Sequence, residues 1–139
     1  MKVLADITVP ARLESLEGLV KSATGSALQC GLAGESLFAV ELATEEAVVN
    51  VFRYAYCQGE GKVRLRCIED EESYVIEVTD WGVPFDATAQ PAPDVTSPLE
   101  ERPVGGLGIH LMRNMMDEIS YKREDGQNIL SLFIRKKAT

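Results

Sequence analysis

The sequence predicts an α+β domain, a two-layer α/β sandwich with helices packed on one face of a mixed, mostly antiparallel sheet. Three observations predict it. Two helical patterns follow each other directly near the start of the chain. Short alternating segments later pair off around acidic turns. The helices are also too few and too clustered to cover both faces of a doubly wound parallel sheet. The element order reads β-α-α-β-β-loop-α-β-β, with no internal repeat.

Each element has its own signal. Val3, Ala5, Ile7 and Val9 alternate with Leu4, Asp6 and Thr8, which predicts an opening strand closed by Pro10. Leu13, Leu16, Val20, Ala23 and Ala27 recur at helical spacing and predict a helix ending near Cys30-Gly31. A second helix is expected from about Glu35 to Tyr56, with Gly59 and Gly61 ending it. Lys62–Ile68 and Ser73–Thr79 then read as two strands, with Val63, Leu65 and Cys67 on one face and Tyr74, Ile76 and Val78 on one face. Glu69-Asp70-Glu71-Glu72 makes the turn between them. Asp86–Pro103 carries Pro91, Pro93, Pro98 and Pro103 without periodicity, a loop of a length usually reserved for lids or linkers. Gly105-Gly106-Leu107-Gly108 opens a third helix through Met116. Glu118–Arg123 and Asn128–Arg135 are the last strands, joined at Glu124-Asp125-Gly126.

A length of 139 residues fits one domain, 1–139, with a single sizeable core. Fourteen Lys and Arg oppose 22 Asp and Glu, for a net charge of -8, which argues against nucleic acid as a partner. A mononucleotide is still allowed, because backbone N–H groups and a metal can hold phosphates without a basic surface. No apolar run approaches the roughly 20 residues that span a bilayer, and Met1–Asp6 is no signal peptide. No membrane partner and a cytoplasmic location are expected. Cys30, Cys57 and Cys67 lack a C-x-x-C spacing and read as reduced thiols, and His110 is the single histidine.

Three segments carry chemistry. Glu46 and Asn50 lie four apart on the second helix and project from one face. Such a pair alone reads as solvent-facing decoration. Its neighbours Ala47, Val48, Val49, Val51 and Phe52 make the stretch largely buried, where unpaired polar groups are costly. Asn50 offers a neutral oxygen suited to magnesium, and Glu46 a carboxylate able to take a proton from a hydroxyl. Asp80-Trp81-Gly82 closes an apolar strand. It reads as an ordinary turn or as a site where Asp80 accepts from an exocyclic amine and Gly82 admits a flat ring. Gly105, Gly106 and Gly108 precede a helix, where backbone N–H groups converge on an anion. Neither a phosphate-loop lysine motif nor a dinucleotide fingerprint is present there. Met112, Met115 and Met116 read as core. Trp81 covers the base or caps the core, and Arg102 beside the glycines reads as a solvated side chain.

In this order the three segments resemble the Bergerat (GHKL) ATP-binding fold, more narrowly the anti-sigma factor serine/threonine kinases with a histidine-kinase-like ATPase domain. Glu46-Ala47-Val48-Val49-Asn50 looks like that family's N box. Asp80-Trp81-Gly82-Val83-Pro84-Phe85-Asp86 looks like its first glycine box, and Gly105-Gly106-Leu107-Gly108 its second. The resemblance implies an ATP site with Asn50 holding Mg2+, Asp80 reading the adenine amine, Gly82 beneath the ring, and Gly105, Gly106 and Gly108 along the phosphates. It implies a mobile ATP lid at about 86–108 and Glu46 as general base. The implied partners are ATP or ADP, a small anti-sigma factor antagonist of the STAS type that is phosphorylated, a sigma factor, and a second copy in a homodimer.

Tyr54 departs from the pattern, standing where many relatives carry a polar ring such as His. The length leaves no room for the second domain of larger GHKL proteins, and His110 lies inside the glycine-box helix rather than on a phosphoacceptor hairpin. The alternative is a nucleotide-gated protein-binding module with little or no kinase activity.

Overall fold

Alternation of apolar and polar residues sets the sheet. In the computed structural model, which describes residues 1–56, 60–89 and 112–136, five strands form: β1 (Lys2–Pro10), β2 (Lys62–Glu69), β3 (Ser73–Asp80), β4 (Glu118–Glu124) and β5 (Gln127–Arg135). They lie in the order β1-β2-β3-β5-β4. All four pairings are antiparallel, more uniform than the mixed sheet expected. β4 does run in the same direction as β3, but β5 sits between them.

The antiparallel β1–β2 pair follows from the helices between them. Helix α1 (Leu16–Gln29) returns the chain and α2 (Glu35–Asn50) sends it forward again, so β2 must run back along β1. α1 ends as its sequence dictates. Gly31 adopts φ +86, which costs glycine little, and Gly31 N–H and Leu32 N–H return to the carbonyls of Leu28 and Ala27, each at 3.0 Å. The buried Leu32 then locks the corner.

Both helices cover one face, α1 over β1 and β2 and α2 over β3 and β5. The two-layer α+β expectation therefore holds. Small buried side chains (Ala23, Ala27, Ala39, Ala43 and Ala47) let the helices approach each other. Leu65, Cys67, Ile76, Val78, Leu130 and Leu132 meet them from the sheet. Met112 and Met116 join this core, as their helical spacing suggested. The uncovered face carries charge instead, with Arg64 forked onto Asp6 at 2.9 and 2.7 Å.

Three local expectations needed correction. Val3 does not share a face with Ala5, because a register shift between them turns Val3 outward, 45% exposed. Leu13 is not on the first helix. It lies in a 3-10 turn, Leu13–Ser15, and is 71% exposed. The second helix does continue past Asn50, but Val51–Ala55 take π geometry, a form that often marks functional sites. Of the third helix only 112–115 are described as helical; Gly105–Leu111 and most of the 86–103 loop lie outside the described residues.

One buried polar contact ties the layers together. Tyr74 is fully buried on β3 and its hydroxyl donates to the Ala23 carbonyl of α1 at 2.6 Å. Tyr74→Phe keeps the ring and removes that bond, so chemical denaturation should show a loss of about 0.5–1.5 kcal/mol with an unchanged slope.

Candidate functional site

Some polar side chains of α2 carry atoms that water does not reach. Asn50 is 2% exposed, yet neither its Oδ1 nor its Nδ2 has a hydrogen-bond partner among the described residues. Glu46, one turn earlier, is half-buried, and its Oε1 is likewise buried and unpartnered. Burial raises the Glu46 pKa; the nearby Arg53 charge opposes the rise and Glu45 adds to it. Unpaired buried groups of this kind cost stability, and a ligand that supplies the missing partners removes the cost.

Asp80 ends β3 and is 4% exposed. Its Oδ1 accepts from the Gly82 N–H at 2.9 Å and from Asn128 Nδ2 at 2.8 Å. Burial pushes its pKa up, while those two hydrogen bonds and the Arg123 charge pull it down. Asn128 lies directly across from Asp80 on β5. Its amide also donates to the Val83 carbonyl at 2.8 Å and accepts from the Phe85 N–H at 3.2 Å and the Tyr121 hydroxyl at 2.6 Å.

The turn after β3 is strapped down on both sides. Val83 N–H reaches the Ala55 carbonyl of the π segment at 2.9 Å, and Arg123 of β4 donates to the Gly82 carbonyl at 2.8 Å. The Phe85 ring stacks on Tyr54 at 4.6 Å. Asp86 then starts the following loop, its carboxylate taking both the N–H and the hydroxyl of Thr88.

These elements wall a small cavity of about 20 Å³, lined by Ala47, Asn50, Asp80, Phe85, Tyr121 and Asn128, among others. Its wall is mostly apolar with a few convergent polar groups, Asn50 and Asp80 among them. An acceptor carboxylate stands on one wall and an unpartnered amide on another. That pairing suits a ligand with a donor-bearing flat head and a part needing an oxygen or amide contact.

Residues 9–134 match the family model of the histidine kinase-like ATPase domain. The chain belongs to that family. It is 28% identical over 129 residues to the serine-protein kinase RsbW of Bacillus cereus strain AH187, covering 90% of this chain and 81% of the relative. The serine-protein kinase RsbW of Bacillus thuringiensis subsp. konkukian strain 97-27 shows the same identity and coverage. As a histidine kinase-like ATPase domain, the chain binds ATP.

Within this ATPase domain the sequence-derived residues fall into three groups. Asn50 and Asp80 come together on one pocket. Glu46 lies outside its lining, a turn away, and Gly82 lies outside it too. A Cβ on Gly82 would sit 2.1 Å from the Ala55 carbonyl oxygen, so glycine there permits the close approach of two backbone segments. Gly105, Gly106, Gly108, Arg102, His110 and Cys57 lie outside the described residues. Trp81 is 42% exposed and does not line the pocket. Cys30 and Cys67 are free thiols, the latter buried. No helix among the described residues is long and apolar enough to cross a membrane.

Sequence reasoning missed Asn128, Tyr121 and Arg123. Asn128 did leave a trace. It occupies the same inward phase of β5 as Leu130, Leu132 and Ile134, the one polar member of an apolar set.

Proposed function

We propose that the protein is an ATP-dependent serine/threonine-protein kinase and anti-sigma regulatory factor. The observation that carries the nucleotide reading is Asn50, a buried amide without a partner, facing the same pocket as the buried Asp80. Asp80 accepts the exocyclic amine of adenine. Asn50 fits a magnesium ligand, because its oxygen is neutral, buried and uncommitted, and such an ion usually takes only one or two protein ligands beside phosphate and water. When bound, the ion would neutralise charge on the transferring phosphoryl group.

In the transfer, a serine or threonine hydroxyl of the partner attacks the γ-phosphorus, the bond to the β,γ-bridging oxygen breaks, and ADP leaves. Glu46 accepts the hydroxyl proton. Its position outside the base pocket and its raised pKa suit that role. The serine-protein kinase names of the relatives support the reaction class. The substrate we infer is a small anti-sigma factor antagonist of the STAS type. Gly105, Gly106 and Gly108 would line the phosphates at the hinge of a lid over about 86–108, and Gly82 would back the adenine turn. A sigma factor, a homodimeric state and a cytoplasmic location complete the proposal.

Two measurements test it. Mg-ATP in large excess over its Kd should stabilise the wild type by about 3 kcal/mol in a thermal-shift assay. Asn50→Ala should lose most of that shift while keeping its fold, since no hydrogen bond among the described residues depends on its amide. A wild type that shows no shift would overturn the nucleotide reading. Labelled phosphate passing from ATP to a candidate antagonist tests the kinase step.

A second reading, a nucleotide-gated binding module with little or no transfer, draws on one observation. The position where many members of the family carry a polar ring such as His holds Tyr54, whose ring is stacked on Phe85. Nucleotide binding without transfer would favour it.

A further inference from the structure

Asn128 uses its whole hydrogen-bonding capacity inside the protein. A primary amide has two N–H donors and an oxygen with two lone pairs. Here the donors go to Asp80 Oδ1 and the Val83 carbonyl, and the oxygen accepts from the Phe85 N–H and the Tyr121 hydroxyl. The amide cannot be turned over. Val83 offers only a carbonyl and Phe85 only an N–H, so two backbone groups of opposite polarity fix which end is nitrogen. Nothing on this side chain is left for a ligand, although it lines the pocket.

The consequence falls on Asp80. Its two hydrogen bonds among the described residues, from Gly82 and Asn128, both land on Oδ1. Oδ2 is thereby the oxygen left to a ligand. Burial raises the Asp80 pKa, and the donors on Oδ1 oppose that rise. A rotationally pinned carboxyl oxygen with no committed donor accepts a ligand N–H and repels a ligand carbonyl.

Resting on the nucleotide reading above, we propose that Asn128 is the positioning residue for purine selection. It holds Asp80 so that a base bearing an amine at the contacted edge is accepted and a base bearing a carbonyl there is refused. The same amide fixes Val83 and Phe85, so the turn that walls the pocket and the carboxylate that reads the base are set by one side chain.

The test is the ratio of affinities, measured by calorimetry with ATP, inosine triphosphate and purine-riboside triphosphate, for wild type and Asn128→Ala. The wild type should prefer ATP strongly over both analogues. In the variant ATP affinity should fall about 10- to 100-fold, while the purine-riboside analogue, which has no amine to place, changes less than about 3-fold. A merely structural role would lower all three together and leave the ratio intact, and that result would overturn the proposal.

Asn128→Leu guards against a variant that does not fold. It fills much the same space, adds no charge beside Asp80, and removes the donors that face Asp80 and Val83. It should lose the same preference; a retained wild-type ratio would also overturn the proposal. A wild type that binds none of the three nucleotides would remove the nucleotide reading itself, whereas binding with unchanged ratios in both variants removes only the role of Asn128.

Discussion

Glu46→Gln is expected to lower phosphate transfer to the partner protein by about 100- to 10,000-fold while leaving Mg-ATP affinity within a few-fold. The two effects separate because Glu46 lies outside the lining of the pocket that holds Asn50 and Asp80. The amide is isosteric but cannot take the hydroxyl proton. Wild-type transfer should also rise with pH across the raised titration of Glu46, and the residual transfer of the variant should not follow it. Equal transfer by both proteins would remove Glu46 from the role of base.

The same substitution has an opposite effect on stability. Burial raises the Glu46 pKa, so the folded protein holds that proton more tightly than the unfolded chain does. The favourable contribution is present in acid, below the ordinary carboxylate value, and is lost as pH rises through the raised one. At neutral pH the wild type therefore carries a half-buried carboxylate with an unpartnered oxygen, and Gln does not. Melting curves should place the variant above wild type at neutral pH and level with it in acid. A residue whose removal stabilises the protein and stops transfer fits a functional site rather than a structural one.

The fold was legible because it is written in local periodicity. The inward sets Val63, Leu65, Cys67 and Tyr74, Ile76, Val78 are alternations that any register must bury together. Asp125-Gly126 marks its own hairpin, both residues at positive φ in the structure. Asn50 and Asp80 could be found because each breaks an apolar run, and a polar residue in such company needs a partner. What local pattern does not contain is the pairing of distant strands. Asn128 and Asp80 are 48 positions apart, and only the β3–β5 register makes them neighbours. The outward turn of Val3 was hidden for a related reason. A one-residue shift against β2 reverses a face without leaving a mark in the residues themselves. The reason for glycine at position 82 was hidden as well, since the Ala55 carbonyl that crowds it belongs to the π segment at the far end of α2.

That crowding makes Gly82→Ala the second large effect. The added Cβ would meet the Ala55 oxygen at 2.1 Å and the Ala55 carbonyl carbon at 2.5 Å. Both are backbone atoms, so no side chain can swing aside. The same oxygen accepts the Val83 N–H, and the Gly82 N–H itself holds Asp80. Relief of the clash must therefore move the turn, the π segment or both, and it loosens the Asp80 carboxylate that the turn holds. A stability loss of about 1–3 kcal/mol or more is expected, with a Tm lower by roughly 5–10 °C, and with ATP affinity falling alongside it. Gly25→Ala supplies the opposite case. Gly25 lies inside α1, and a Cβ added there would meet nothing within 4 Å, so alanine should stabilise by about 0.5–1 kcal/mol through helix propensity alone. A Gly82→Ala protein that kept the wild-type Tm would show that close packing at Gly82 is not what joins the end of α2 to the turn after β3. Opposite signs, with ATP affinity lost only in the first, would mean that the π segment and the pocket wall move as one piece.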